Sequence, residues 1–280
     1  MPSFGELVNY FSEEYKNRIL EFIFLKSEKV LNLTQYSSEK SNTIDFSCKL
    51  REKLCSRIQN IDYPLTRLTG RVFFNKKKWF LFQGVFSPRI ESELLVRILK
   101  DWVRELNLYS FSYIDLCSGS GVIFLSVLEE LNNYIKRGVA IDSSFRACKN
   151  ISKNSELLKD NSKIEIYLTD WVKYLTKNSE WDVITINPPY LSEEELIESR
   201  EFCLGDPKWA LQGDINGWSH YQKMLEFAKT NSYWKLIIFE CSEFHEQLWD
   251  KEIKKNKSLF TIRKYRDYLD KFRAIALIRK

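Results

Sequence analysis

Tyr113-Ile114-Asp115-Leu116-Cys117-Ser118-Gly119-Ser120-Gly121 is an apolar run that ends in an acid and small residues, and Val122 to Leu131 follows it as a helical segment. A strand that passes through a glycine-bearing turn into a helix opens an α/β fold, because small residues let backbone N–H groups at the helix start approach a ligand closely. The alternation continues with Val139 to Ile141 and Phe145 to Leu158, then Ile164 to Leu168, Val183 to Ile186, and Trp234 to Phe239. Strands alternating with helices predict βαβ units and a mostly parallel sheet with helices on both faces. Phe260 to Arg263 and Arg273 to Ile278 supply two last strands, joined tightly enough to be antiparallel.

The ends of these strands carry the chemistry. Asp142 closes the second strand about 20 residues beyond the glycines, where a carboxylate can accept hydrogen bonds from both hydroxyls of a ribose. Leu168-Thr169-Asp170-Trp171 closes the third. Asp170 can accept from an adenine amine and Trp171 can cover the ring, although a core tryptophan gives the same pattern. Phe124 stands where the third glycine of the nicotinamide and flavin fingerprint would fall, which argues against a hydride carrier. The fourth strand stops at Asn187-Pro188-Pro189-Tyr190. Two prolines cannot continue a ladder, since each lacks an N–H and fixes its own φ. The break exposes Asn187, so that its amide oxygen and the Pro188 carbonyl form two acceptors facing one spot, with Tyr190 near enough to cover a planar group. That suits a planar amine or amide with two N–H bonds. In isolation the four residues also compose an ordinary turn; here all three signals fall at the carboxyl edge of one sheet, where ligands of such folds bind.

Upstream, apolar residues from Phe4 to about Gln59 recur at helical spacing, as in Leu20, Phe24, Leu25 and Val30, and in Phe46, Leu50, Leu54 and Ile58. A polar stretch, Thr34 to Thr43, suits a loop between helices. Beyond Pro64 and Gly70, the segment Arg71 to Phe82 has a hairpin signature centred near Asn75. The predicted organisation is a helical domain at 1–69, a hairpin linker at 70–86 and an α/β domain at 87–280. Gly84 to Glu93 leads into a helix whose stripe is Leu94, Leu95, Ile98, Leu99, Trp102 and Leu106.

The chain has 280 residues and a net charge of +5, so it can bury a real core and has only a mild basic excess. The basic clusters, Lys76 to Lys78 and Lys251 to Lys280, read either as a solvated face or as a means of steering an acidic partner or RNA. Six cysteines (Cys48, Cys55, Cys117, Cys148, Cys203 and Cys241) occur without a Cys-x-x-Cys pair, which indicates neither a zinc site nor a disulfide framework. No metal is expected. No apolar run reaches the roughly 20 residues needed to cross a bilayer, and Met1 to Tyr15 carries acids where a leader would carry bases, so a cytoplasmic protein is expected. With two histidines, His220 and His245, a histidine base has few candidates.

With Asp115-x-x-x-Gly119-x-Gly121, Asp142, Asp170-Trp171 and Asn187-Pro-Pro-Tyr190 in this order, the chain resembles the class I S-adenosylmethionine-dependent methyltransferases that act on an exocyclic or amide nitrogen. More narrowly it resembles the protein-glutamine methyltransferases of the PrmC/HemK type, which modify the glutamine of the Gly-Gly-Gln loop in peptide chain release factors. Pro64-Leu65-x-x-Leu68-x-Gly70, Gly84 to Glu93, and Gly205-Asp206-Pro207-x-x-Ala210-Leu211-x-Gly213-Asp214-x-x-Gly217 are similar to further segments of that family. The resemblance implies a Rossmann-like domain with a seven-stranded sheet whose last strand is antiparallel, preceded by a small helical domain that helps dock the release factor. It implies that S-adenosylmethionine is the cofactor, held by Asp115, Cys117, Ser118, Gly119, Ser120 and Gly121 around its methionine part, by Asp142 at the ribose, by Asp170 and Trp171 at the adenine, and by Asn187. Asn187, Pro188, Pro189 and Tyr190 would hold the glutamine amide with Phe86 packed against its aliphatic part, and Asn187, Pro188 and Tyr190 would serve catalysis. A monomer with no membrane and no stable nucleic-acid partner is expected.

Four positions depart from the family pattern. Cys117 takes the place of a first glycine, which bears on how closely the cofactor carboxylate can approach; Ile90 replaces a proline, Ser92 a threonine and Asp206 a glutamate. None removes a group that the chemistry requires. Three other readings fit parts of the pattern: glutamine methylation of a ribosomal protein, adenine-amine methylation of DNA or RNA, and a cofactor-binding protein without activity. Against the second, there is no large target-recognition domain, and a duplex substrate needs base flipping and a broad basic surface.

Overall fold

Val183–Ile186 has no polar side except Thr185, and all four residues are buried, which only a central strand allows. The computed structural model describes residues 16–26, 57–58, 63–198 and 205–280, and it places this strand in the middle of a seven-stranded sheet. In chain order the strands of that sheet are β3 (Phe111–Leu116), β4 (Ile135–Asp142), β5 (Ile164–Leu168), β6 (Val183–Ile186), β7 (Leu236–Glu240), β8 (Phe260–Arg266) and β9 (Phe272–Arg279). They lie in the order β5-β4-β3-β6-β7-β9-β8. All pairs from β5 to β7 are parallel, and β9 runs antiparallel to both of its neighbours. The seventh strand in sequence is therefore the reversed one, as the sequence led us to expect. The fifth strand begins later than the sequence suggested: Trp234 precedes it and is buried, its indole Nε1 donating to the Ala228 carbonyl at 3.0 Å, and Glu240 is added at the other end.

The register explains which residues are apolar. Val139, Ile114, Ile184, Ile237 and Leu277 face one another across five adjacent strands, and Ile141, Leu116, Ile186, Phe239 and Ile275 form a second row two residues further on. Both rows are fully buried. They pack in one core with Trp171, Tyr174, Trp181, Trp218, Tyr221, Trp234 and Trp249. The alternate residues Asp115 and Thr185 are directly opposite each other on the other face. There the Phe124 ring stacks on Tyr113 with centroids 5.6 Å apart.

Two compact units divide the chain: Met1–Gln83 with Arg200–Gly205, and Gly84–Ser199 with Asp206–Lys280. In the first, helix α1 (Lys16–Lys26) buries Ile19, Phe22, Ile23 and Leu25. Helix α2 (Leu65–Thr69) starts after Pro64 and stops at Gly70, whose φ of 65° is the left-handed conformation that ends a helix. Strands β1 (Arg71–Phe74) and β2 (Lys77–Phe80) form the hairpin, turning through Asn75 and Lys76 with φ of 48° and 65°, as a two-residue turn between twisted strands requires. The hairpin packs on α1 through Phe24 and Phe73, 5.3 Å apart, and belongs to the first unit. The other predicted features of this region (Val30, the Thr34 to Thr43 loop, and Phe46, Leu50 and Leu54) lie outside the described residues, as do Cys48, Cys55 and Cys203. Ile58 is described and buried.

In the second unit, helices α3 (Glu93–Glu105), α4 (Val122–Leu131), α5 (Phe145–Ser155), α6 (Trp171–Lys177), α7 (Glu193–Glu198), α8 (Ser219–Thr230) and α9 (Glu246–Asn256) complete the alternation. The basic residues near the end of the chain are laced with acids: Lys264 pairs with Glu246 and Asp250, Arg266 with Glu246, Lys271 with Glu243, and Arg273 with Asp267. This segment thus presents mixed charge rather than a basic stripe. Among the described residues no helix is long and apolar enough to cross a membrane.

Trp249 is fully buried and meets Trp218, Phe239 and Tyr221 edge-to-face at 5.2, 5.1 and 5.6 Å. Trp249→Ala is expected to lower the unfolding free energy in urea by about 3–5 kcal/mol, and Trp249→Phe by less. A loss below about 1 kcal/mol for the alanine variant would show that the aromatic cluster does not organise this face.

Candidate functional site

The parallel pairing of β3 with β6 is where the strand order reverses, and α/β folds bind ligands in the crevice beyond the carboxyl ends of such strands. Leu116 is paired with Ile186 and with Ile141, and Ile186 with Phe239. The next residue on each strand is Cys117, Asn187, Asp142 and Glu240. Four chemically useful side chains are thereby set at one edge.

Beyond Leu116 the backbone turns through Cys117, Gly119 and Gly121 with φ of 57°, 56° and 79°. Ser118 pins this loop, its N–H donating to the Ile141 carbonyl at 3.0 Å and its hydroxyl to the Asp115 carbonyl at 2.8 Å. The Gly119 N–H donates to Asp142 Oδ2 at 2.8 Å, and the Ser144 N–H to Asp142 Oδ1 at 2.8 Å. Asp142 is 7% exposed, and burial raises its carboxyl above the usual range against these backbone hydrogen bonds. Gly121 caps α4 without any side-chain hydrogen bond, so the first N–H groups of the helix remain for a ligand. A Cβ on Gly121 would lie 2.9 Å from Ile151, so α5 can approach the loop only over a glycine. Cys117 occupies the left-handed region without a glycine's freedom. Its thiol is pushed well up by burial and by the Asp142, Asp115 and Asp170 carboxylates, which leaves it neutral rather than nucleophilic.

Beneath the loop, Thr185 Oγ1 donates to Asp115 Oδ1 at 2.5 Å. That uses the only hydroxyl hydrogen of Thr185, so the Tyr113 hydroxyl, 2.8 Å away, is the donor to Thr185. Asp115 Oδ2 is buried with no hydrogen-bond partner. Burial pushes this carboxyl up to about 7, the Thr185 and Ser118 hydrogen bonds oppose the rise, and the Asp142 charge adds to it.

At the third strand end, Asp170 is exposed and caps α6, Oδ1 accepting from the Lys173 N–H at 3.0 Å. Trp171 is a core residue, only 5% exposed, and its Nε1 donates to His220 Nδ1 at 3.2 Å. An indole only donates, so His220 keeps its proton on Nε2. Burial and Lys223 lower the His220 pKa.

Asn187 is half-buried and its Nδ2 donates to Glu240 Oε2 at 3.0 Å; the Tyr190 hydroxyl lies 3.3 Å from Glu240 Oε1. A strap then crosses the turn. The Leu191 N–H donates to Leu211 O at 3.0 Å and the Gly213 N–H to Leu191 O at 2.9 Å. Gly217, with a φ of 65°, passes so close that a Cβ there would stand 2.0 Å from the Tyr190 carbonyl oxygen. His245 Nε2 is 3.1 Å from the Asn216 carbonyl and holds the strap from beneath. On the other side of the turn, Asp206 accepts from the Ser87 N–H at 2.8 Å and from Arg89 at 2.6 Å, while the guanidinium lies 5.2 Å over the Phe86 ring. A Cβ on Gly119 would meet only Phe86 Cβ, at 4.0 Å. The structure thus brings Phe86, the Cys117–Gly121 loop, Asp142 and Asn187–Tyr190 to one place, with Trp171 lying inside the core. Glu240 and Thr185 escaped the sequence reading; an acid ending a buried apolar strand was the available signal for Glu240. Among the described residues no cluster of His, Cys, Asp or Glu could hold a metal ion.

The donor set fits S-adenosylmethionine. An orphaned buried carboxylate oxygen on Asp115 suits a cationic group, the uncapped start of α4 suits a carboxylate, and Asp142 retains lone pairs for hydroxyls.

The sequence and fold have known relatives. The chain is 28% identical over 225 residues to the release factor glutamine methyltransferase of Thermodesulfovibrio yellowstonii, covering 80% of this chain and 78% of that one. It is 27% identical over 246 residues to that of Dictyoglomus turgidum, with 84% of each chain covered. It is also 29% identical over 209 residues to the uncharacterized protein MG259 of Mycoplasma genitalium, of whose length it spans only 42%. A family model described as conserved hypothetical protein 95 matches residues 98–211. Among solved structures, the catalytic domain of hMettl16 in complex with a MAT2A 3′UTR hairpin superposes with a TM-score of 0.57 at 12% identity over 92% of this chain and 90% of that one. The fold is that of the class I methyltransferases, and the resemblance drawn from the motifs holds across most of the sequence.

A buried carboxyl with a raised pKa favours its protonated form in the native state, so its contribution to stability is complete below the unfolded value of about 3.9 and is lost as pH rises through about 7. Asp115→Asn has no such proton. Relative to the wild-type protein the variant should gain on the order of 2–4 kcal/mol between about pH 4 and about pH 8, read from urea unfolding at each pH. A difference that stays constant over this range would mean that Asp115 is ionised throughout.

Proposed function

We propose that this chain, a homologue of the release factor glutamine methyltransferases, transfers a methyl group from S-adenosylmethionine to the side-chain amide nitrogen of the glutamine in the Gly-Gly-Gln motif of peptide chain release factors. The observation that carries the reading is the adjacency of Asn187 and the glycine loop, fixed by the Leu116 to Ile186 pairing. On this reading, two acceptors for a planar NH2 group would stand beside the loop that would hold the cofactor.

The Cys117–Gly121 loop and the start of α4 would hold the methionine part, Asp115 its cationic end, Asp142 the ribose and Asp170 the adenine amine. When bound, the cofactor supplies an electrophilic methyl on a sulfonium. Asn187 Oδ1 and the Pro188 carbonyl would accept the two N–H bonds of the substrate amide and so orient its nitrogen. Phe86, steadied by Arg89 and Asp206, packs against the aliphatic part of the glutamine.

An amide nitrogen is a weak nucleophile, because its lone pair is delocalised into the carbonyl. Orientation at close range therefore supplies most of the rate. Methyl transfer to that nitrogen would leave a methylated amide that is strongly acidic until it loses a proton, and the proton would pass to water. The side chains agree with a site that has no dedicated base. Burial and Glu240 raise the Tyr190 phenol, burial raises the Cys117 thiol, and His245 is committed to Asn216.

Asn187→Ala should lower methyl transfer by about a thousandfold or more, while the cofactor Kd stays within about threefold of the wild-type value. Labelled cofactor incubated separately with a release factor, a ribosomal fraction and DNA should mark the release factor. Label in DNA or a ribosomal protein alone would overturn the substrate assignment, and an active Asn187→Ala variant would remove Asn187 from the mechanism.

A further inference from the structure

We infer that Glu240 is the positioning residue of this site: its buried carboxylate locks the Asn187 side-chain amide in the one orientation that presents oxygen, rather than NH2, to the substrate. The inference deepens the methyl-transfer reading and rests on it.

An asparagine amide has nearly the same shape after a half-turn about its last torsion, so packing alone does not choose between its two ends. At this site the two ends are opposite in effect. Oδ1 accepts an N–H of the substrate amide; Nδ2 in its place would set donor against donor. An ionised carboxylate has no hydrogen to give, so Glu240 Oε2, 3.0 Å from Asn187, accepts from Nδ2 only, which leaves Oδ1 on the far side. Its other oxygen is 3.3 Å from the Tyr190 hydroxyl and obliges that group to donate, which fixes the ring that covers the site.

Glu240 itself has little freedom. It is 1% exposed, its backbone carbonyl accepts from the Tyr221 hydroxyl at 3.0 Å, and its strand is paired on both sides. Arg273 on β9 supplies opposite charge and is itself tied to Asp267 at 3.2 Å. The groups that face the carboxylate are Ser92 and Glu91 from the turn before α3, Arg273 from β9, Tyr190 from the turn after β6, Tyr221 from α8 and the adjacent Cys241. Burial raises the Glu240 carboxyl above its usual range; Ser92, Arg273 and Tyr190 oppose the rise, and Glu91 adds to it. A protonated Glu240 has a hydrogen to offer and accommodates the reversed amide as well. Ionisation of a residue that never touches the substrate thus sets the acidic limb of the reaction.

The test measures kcat against pH at saturating cofactor for the wild-type protein, Glu240→Ala and Glu240→Gln, with a release factor as methyl acceptor. The wild-type kcat should fall on the acid side with a midpoint above the ordinary glutamate value of about 4.3. Glu240→Ala should lose about 10- to 100-fold in kcat, with the cofactor Kd within about threefold. Glu240→Gln, which like the protonated carboxyl has hydrogens to offer and so accommodates either orientation of Asn187, should show a reduced kcat near the acid-side value of the wild-type protein and lack the acidic limb. A wild-type kcat in Glu240→Ala, or an unchanged acidic limb in Glu240→Gln, overturns the inference.

If the alanine variant does not fold, the glutamine variant and its pH profile decide. The side-chain amide resonances of Asn187, assigned by their loss in Asn187→Ala, provide a readout independent of any substrate. They should shift with the same midpoint in the wild-type protein and stay flat in Glu240→Gln, and flat wild-type resonances overturn the inference. A wild-type protein that methylates no release factor, yet shows that amide titration, defeats the substrate reading and leaves the role of Glu240 standing.

Discussion

The parallel pairing of Leu116 with Ile186 is the constraint on which the rest of the site depends. Neither residue takes part in chemistry, and both lie in an apolar row buried beneath the sheet. Because side chains alternate along a strand, slipping this register by one residue would expose Ile114, Leu116, Ile184 and Ile186 on the opposite face and remove Asp115 from Thr185. The hydrophobic pattern thus sets, to within one residue, how far the glycine loop stands from the Asn187 turn. Core packing and site geometry are one specification here.

A sharp turn at the end of a strand needs external support, since two prolines leave it without ladder hydrogen bonds. The support is built from segments distant in sequence. The strap from Leu211 to Trp218 crosses the turn so closely that Gly217 has no space for a side chain, and His245 fastens that strap through Asn216. Asp206, with its side chain 1% exposed, ties Ser87 and Arg89 together and so fixes the loop that carries Phe86. Asp206, a departure noted in the sequence, reaches both partners with its short side chain.

Three buried carboxylates, Asp115, Asp142 and Glu240, end the central strands, and burial raises the pKa of each. Such a concentration of negative charge in a dry edge is unfavourable alone. Each member is stabilised differently: Asp142 by the Gly119 and Ser144 N–H groups, Glu240 by Asn187, Tyr190 and the charge of Arg273, and Asp115 by Thr185 on one oxygen and by Ser118. The Asp115 oxygen without a hydrogen-bond partner is where a cationic ligand would gain most. The neutral thiol of Cys117, held among the same acids, neither competes for that ligand nor supplies a nucleophile.

The sequence by itself determined the alternation of strands and helices, the reversed last strand, the hairpin at Asn75 and Lys76, the glycine loop, and the break at Asn187, because these follow from local causes: side-chain periodicity, the missing N–H of proline and the φ freedom of small residues. It also carried enough family resemblance to name the chemistry. Tertiary structure alone decided that Trp171 belongs to the core and bonds His220, that Lys264, Arg266, Lys271 and Arg273 near the end of the chain are matched by acids, and that Glu240 meets Asn187. The last of these joins residues 53 apart in sequence, and the brace from Asp206 to Ser87 joins residues 119 apart. No local pattern encodes such partners, since they are set by the register of buried strands and by which side chains the closed core leaves at its edge.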